Sequence, residues 1–352
     1  MSTLQSVSIK TAFYLVLTSL FYVSICLLLF VLGLFALNKG IFFSNEIMKA
    51  YQRAYYFGGF SHVFQADRNC VVFDPVLLYK PKIGSCVFAN AEFKTTLHFD
   101  ENGRLSHHPS GDGGIAVVGD SHAMGWGVED DETFSAIMER TLNRPVYNLS
   151  VSSYETYREL LRLEKSPVLA HVDTIVIQYC DNDLQPNEFF VSNDSTKGKL
   201  QFNKEIFDSN ITPDSSRRSH TYVLTWLVRT VEIPIQWIRA WLSPQRKAEI
   251  FQSLFAITDM PPGYFDFSRH YGPLMRVLQK FPWINSKRVI IFYSNFSGIK
   301  FANYPRPERS SIGSPIFIDL DIDPNHYFAI DGHPTRRAHE EIARKLISVI
   351  SH

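Results

Sequence analysis

The sequence has no excess of either charge. Its 352 residues carry 35 Lys and Arg against 35 Asp and Glu, a formal net charge of zero. That absence argues against a nucleic-acid partner, which would need a basic stripe to meet the phosphates. No internal repeat, low-complexity tract or long run of one charge sign is present, so a repeat array is not expected. Histidines occur, but His107-His108 and His326 lack any metal-ligand spacing, and neither a metal nor another cofactor is expected. Cysteine is scarce, with four in all. Cys26 lies in an apolar run and Cys180 ends an apolar strand pattern. Cys70 and Cys86 flank Asp74-Pro75-Val76-Leu77-Leu78-Tyr79-Lys80-Pro81, a turn-rich stretch able to fold into a hairpin. Two readings stand for that pair: a disulfide, which would imply an oxidising compartment, or two free buried thiols.

Charge is missing altogether from Thr11 to Leu37, which is dense in Leu, Phe, Val and Ile. At about 1.5 Å rise per residue this run is long enough to cross a hydrocarbon core of about 30 Å with some tilt. A cleaved signal peptide has a shorter apolar core and a small-residue cleavage site, and Phe35-Ala36-Leu37-Asn38-Lys39 is a poor one. An uncleaved transmembrane helix over about 11–37 is therefore expected, with residues 1–40 as the membrane anchor. Its orientation has two readings. Lys10 and the amino terminus lie on one side, and Lys39, Lys49 and Arg53 on the other. The positive-inside rule leans towards a cytoplasmic main domain. A Cys70–Cys86 bridge would lean the other way.

With 45% hydrophobic residues the chain can bury a sizeable core, and one large domain with appendages is the natural organisation. Residues 41–112 read as a membrane-proximal lead-in with short strands at Phe73–Tyr79 and Phe93–Phe99. From 113 the pattern becomes strand–helix alternation. Ile115–Val118, Val146–Leu149, Thr174–Tyr179 and Arg288–Tyr293 read as strands, and Glu132–Leu142, Tyr154–Lys165 and Arg336–Ile350 as helices. Alternation of this kind predicts an α/β fold, a mostly parallel sheet covered by helices, with ligands at the C-terminal strand ends. An insertion over about 185–275 breaks the alternation. Within it Tyr222 to Leu242 holds Trp226, Trp237 and Trp241 and reads either as a helix pair packed on the main domain or as an amphipathic cap.

The most informative residues are Gly119-Asp120-Ser121-His122, which follow the strand Ile115–Val118 and precede a glycine-rich continuation, Gly125-Trp126-Gly127. A serine just past a strand end, at the start of a helix, is well placed to be a nucleophile, because the helix N-terminus offers unpaired N–H groups to an oxyanion. Three further segments follow in order: Tyr147-Asn148-Leu149-Ser150-Val151-Ser152-Ser153-Tyr154, the strand ending in Cys180-Asp181-Asn182-Asp183, and Asp331-Gly332-His333-Pro334 before the last helix.

On these four blocks the chain resembles the SGNH (GDSL-type) hydrolase superfamily, over roughly residues 113–352. The resemblance implies a flavodoxin-like three-layer sandwich. It implies Ser121 as nucleophile, His333 as general base and Asp331 as the residue that orients it. It further implies an oxyanion hole from the Ser121 N–H, the Ser153 N–H and the Asn182 side-chain amide. Two positions depart from the family pattern. Its second block supplies a glycine where this chain has Ser153, with Ser150 as runner-up. Its last block is commonly Asp-x-x-His, where this chain has Asp331-x-His333. The resemblance implies an esterase or O-acyltransferase acting on an acylated envelope glycan or lipid, anchored in the inner membrane with its catalytic domain in the periplasm. A non-catalytic glycan-binding or assembly subunit on the same fold is the alternative. Among the other residues, His339 reads as structural, Asp183 as orienting the Asn182 loop, and Asp130-Asp131-Glu132 as a solvated helix start.

Overall fold

The structure, a computed structural model, describes residues 2–38, 63–89, 92–107, 109, 113–193, 201–211, 267–294, 314–329 and 331–351. Its first element is helix α1, Ser2–Asn38. The window Phe13–Gly33 of that helix has a mean hydropathy of 2.7, long and apolar enough to cross a membrane, and none of it is buried against the rest of the chain.

The lead-in begins with an antiparallel hairpin, β1 (Val71–Asp74) and β2 (Leu78–Pro81), in register Val71 with Pro81. One continuous strand over Phe73–Tyr79 is therefore corrected to two strands and a turn. The cause is local: Asp74 Oδ1 accepts the N–H groups of Val76 and Leu77, both at 2.9 Å, and Leu78 takes a φ of +69°. A side chain that satisfies the next two amides reverses the chain at Pro75. Cys70 and Cys86 are joined by a disulfide that closes the base of this hairpin, with their Cα atoms 5.2 Å apart. Strands β3 (Gly84–Ala89), β4 (Lys94–Asp100) and β5 (Gly103–Arg104) follow as an antiparallel meander.

From Gly114 the chain alternates. Strand β6 (Gly114–Val118) leads to the short helix α2 (Ser121–Met124) and then to α3 (Phe134–Leu142). Strand β7 (Val146–Asn148), helix α4 (Thr156–Lys165) and strand β8 (Val172–Tyr179) come next. Helices α5 (Leu184–Asn193), α6 (Lys204–Asn210) and α7 (Phe267–Gln279) fall in the expected insertion or at its edges. The Trp-rich stretch 222–242 lies outside the described residues. Strands β9 (Arg288–Tyr293) and β10 (Ile316–Ile318) and helix α8 (Arg336–Ile350) complete the order.

One eight-stranded sheet runs β10-β9-β8-β6-β7-β5-β4-β3. The first five are parallel to one another, and β5, β4 and β3 continue the sheet antiparallel through the pair Arg104 with Asn148. Taken in chain order, the parallel strands stand 2-1-3-4-5, the doubly wound flavodoxin-like order. Every residue of β6 is buried, and its alternate side chains divide between two cores. Ala116 and Val118 pack with Tyr157, Leu160 and Leu161 of α4 and with Leu274 and Val277 of α7. Ile115 and Val117 pack with Phe134 and Met138 of α3 and with Ile342, Ala343 and Leu346 of α8. Helices on both faces make three layers, and they explain why the central strands read as unbroken apolar runs. Each such buried aliphatic contributes about 1.5–3 kcal/mol.

Strands β6 and β8 are neighbours whose connections leave in opposite directions, so a crevice opens above their C-terminal ends. Ser121 follows β6 by three residues and Asn182 follows β8 by three. The turn 150–154 follows β7.

Candidate active site

Asp120 holds the start of α2. Its Oδ1 accepts the His122 N–H at 2.9 Å, and its own N–H donates to Gln178 Oε1 at 3.0 Å. Helix α2 is a single turn, closed by Gly125 in the left-handed region at φ +83°. A Cβ there would come within 2.5 Å of Thr133 and 2.8 Å of Arg104, so only glycine fits. Ser121 is thereby presented at the crevice with its N–H at the free end of a helical turn. Among the described residues that N–H meets no acceptor.

His333 Nε2 lies 2.8 Å from Ser121 Oγ, across 212 positions of sequence. Its Nδ1 is hydrogen bonded to Asp331 Oδ1. The two-residue spacing between them works because Gly332 takes a φ of +87° and folds the chain back on itself. Phe328 N–H donates to His333 O at 2.9 Å and Gly332 N–H to Phe328 O at 3.0 Å, which pins the loop ahead of α8. Asp331 is buried, and its second oxygen accepts the Trp126 indole N–H at 3.3 Å. Its backbone N–H donates to Glu92 Oε2 at 2.7 Å. Burial opposes the imidazolium of His333, but the charge and hydrogen bond of Asp331 outweigh it and hold its pKa above the usual histidine value of 6.5.

The turn after β7 is clamped on its carbonyl side. Tyr79 Oη donates to Ser152 O at 2.6 Å and Arg158 Nη2 to Ser153 O at 2.8 Å. Gln65 Nε2 donates to Ser153 Oγ at 2.8 Å. Arg158 is itself fixed by Glu155, at 2.7 Å from Nη2 to Oε2, and lies 4.6 Å from the centre of the Tyr154 ring. Ser153 takes a φ of +61°, the left-handed region that favours glycine. Its N–H meets no acceptor among the described residues. Asn182 donates through Nδ2 to Asp120 Oδ2 at 3.1 Å, which ties the loop after β8 to the start of α2. Asp183 accepts Thr156 N–H at 3.2 Å and Cys180 N–H at 2.8 Å, so it does orient the Asn182 loop.

Two readings of other residues change or sharpen. Asp130 is not merely part of a solvated helix start. Its Oδ1 accepts from Arg104 Nε at 2.7 Å, and Arg104 is fully buried. That guanidinium also donates to the carbonyls of Met124, Gly125 and Val128, so it fixes the loop that leaves α2. His339 is structural, as its place in the last helix suggested. Its Nδ1 accepts the Phe134 N–H at 3.1 Å at the start of α3, and burial pushes its pKa down to about 3. Trp126 could have been singled out from its position between two glycines beside the serine. Glu92, Gln65, Tyr79 and Arg104 carry no signal in sequence, because each meets the site only through the sheet.

No protein-family model matches the chain, and no curated protein sequence matches it. Similar solved structures include a family two carbohydrate esterase from Clostridium thermocellum in complex with cellohexaose. It is 10% identical, with 70% of this chain and 66% of that one covered and a TM-score of 0.33. An acetyl xylan esterase from the rumen bacterium Butyrivibrio proteoclasticus is 12% identical, with 69% and 64% covered and a TM-score of 0.32. An acetyl-xylooligosaccharide esterase from Geobacillus is 11% identical, with 68% and 95% covered and a TM-score of 0.30. The chain spans less than two thirds of the length of the first two. TM-scores this low carry no weight for chemistry; the fold stands on its strand order and the site on its own distances.

Proposed function

We propose that the chain is a membrane-anchored serine esterase of SGNH type that removes or transfers an O-acyl group through an acyl-Ser121 intermediate. The observation that carries this reading is the 2.8 Å contact between Ser121 Oγ and His333 Nε2, with Asp331 on the far nitrogen. His333 takes the serine proton as Oγ bonds to the acyl carbon. It returns that proton to the alcohol oxygen as the carbon–oxygen bond breaks. Asp331 holds the imidazole tautomer and stabilises the imidazolium. The unpartnered N–H groups of Ser121 and Ser153, with the second amide hydrogen of Asn182, are the donors for the oxyanion. Water then completes hydrolysis, or a sugar hydroxyl completes transfer, from the same acyl-enzyme. The apolar helix α1 supports an anchor, and the Cys70–Cys86 bridge supports an oxidising side of the inner membrane, the periplasm. A domain held there meets envelope glycans and lipids, and a short acyl group such as acetyl is the substrate class of this reading.

The test is ester hydrolysis by the full chain in detergent, followed as p-nitrophenol release from p-nitrophenyl acetate across pH. The base must be neutral to accept a proton, and its pKa is raised. Activity is therefore low at acid pH, rises with pH and levels off only above the ordinary histidine value of about 6.5. Absence of turnover at every pH would remove the esterase reading.

A second expectation separates the oxyanion donors. Ser153→Gly keeps or raises kcat, because glycine relieves the positive φ and leaves the N–H in place. Asn182→Ala costs about 10²–10³ in kcat with little change in KM, because its amide acts mainly in the transition state. Steady-state kinetics of both variants decide it, and a lethal Ser153→Gly beside a mild Asn182→Ala would redraw the oxyanion hole.

A further inference from the structure

His122 follows the nucleophile, yet the triad makes no use of its side chain. Its ring centre lies 4.9 Å from that of His333 and 6.4 Å from that of Tyr327. Its Nδ1 is 2.9 Å from the hydroxyl of Ser294. Ser294 is buried just beyond β9, where its N–H donates to Tyr179 O at 3.0 Å, so it too stands at the C-terminal edge of the sheet.

The polarity of this contact follows from basicity. An imidazole nitrogen is a stronger acceptor than an alcohol oxygen, so Ser294 O–H donates to His122 Nδ1. Burial lowers the His122 pKa to about 4, so the ring is neutral. A neutral ring that accepts at Nδ1 carries its proton on Nε2. That nitrogen meets no partner among the described residues.

We propose that His122 is a substrate-contacting residue whose Nε2–H donates a hydrogen bond to the alcohol oxygen of the ester, with Ser294 as its positioning residue. The proposal rests on the esterase reading and narrows its substrate to esters of weakly acidic alcohols, such as sugar or glycerol hydroxyls. During acylation the bond from Ser121 Oγ to the acyl carbon forms and the bond from that carbon to the alcohol oxygen breaks. The electron pair goes to the alcohol oxygen, and the proton from Ser121 reaches it through His333. His122 keeps its own proton and only stabilises the charge that gathers on the leaving oxygen. Because the ring is neutral, it adds no positive charge beside the imidazolium that His333 becomes. An aryl ester has a leaving oxygen stable enough to need no such donor.

The experiment compares kcat/KM of the full chain in detergent for glycerol triacetate and for p-nitrophenyl acetate, since that ratio reports acylation for both. His122→Phe, which keeps the ring packing, should lose on the order of 10-fold more on the triacetate than on the aryl ester. His122→Gln, whose amide N–H reaches a similar position, should restore most of the loss. Ser294→Ala should show the same selectivity in weaker form. Equal losses on the two esters, no loss on either, or failure of His122→Gln to restore activity would overturn the role of His122 while leaving the esterase reading intact. An unchanged enzyme that cleaves neither ester would overturn both.

Discussion

Ser121→Ala is expected to abolish covalent labelling by an organophosphonate ester and to lower ester hydrolysis by several orders of magnitude, about 10³–10⁶ in kcat. Among the described residues Ser121 Oγ is the only hydroxyl that His333 Nε2 is seen to meet. The variant keeps the backbone N–H at the head of α2, so one oxyanion donor survives and the loss reports the nucleophile itself. Asp120 would still accept the His122 N–H, and Gly125 would still close the turn. The fold should therefore hold, which circular dichroism would verify. Mass spectrometry of the labelled chain locates the adduct. Labelling that persists in Ser121→Ala would place the nucleophile elsewhere. An unlabelled, inactive wild-type chain would favour a binding or assembly role on this fold.

His333→Ala should lose as much as Ser121→Ala, and the double variant should lose no more than either, because the two act as one unit. Asp331→Asn is the sharper test. Asparagine keeps the shape and can still accept the Trp126 indole N–H, but it removes the charge that holds the His333 pKa up. It also offers an N–H to Nδ1, which favours the wrong tautomer. A loss of about 10²–10⁴ in kcat is expected, with the pH midpoint of the residual activity moved downward, since burial is then opposed mainly by the charge of Asp120. The same shift has a stability side. A histidine pKa raised on folding contributes stability below the unfolded value of about 6.5 and loses it as pH rises through the folded value. Asp331→Asn should flatten that part of the melting-temperature profile. Full activity in Asp331→Asn would show that another group orients the base.

The sequence alone determined the parts that depend on local pattern. Period and length mark β6, β8, β9 and α8 to within two residues, because buried parallel strands are apolar without interruption and an amphipathic helix repeats its stripe. Asp120-Ser121, the Ser150–Ser153 turn, Asn182 and Asp331-x-His333 are legible as four ordered blocks because each stands at a strand end or a helix start, where chain direction alone aims side chains at one edge. The helix Ser2–Asn38 was legible because nothing in Thr11–Leu37 is charged.

Whatever depends on distant chain segments meeting emerges only in the folded chain. The short spacing at 331–333 still brings Asp331 to His333 Nδ1 because Gly332 folds left-handed, a backbone fact that no residue count conveys. Serine at 153 is held in a glycine conformation by Gln65, Tyr79 and Arg158, two of them from the lead-in, which the sequence pattern set apart from the main sheet. Arg104 is buried under the loop that leaves α2 because β5 pairs with β7. The hydrogen bond between Ser294 and His122 joins residues 172 positions apart. Burial supplies the reason that such features escape the sequence. It is the low-dielectric packing of one segment on another that sets a tautomer, lowers a pKa or makes a single hydrogen bond worth having, and packing is a property of the folded whole.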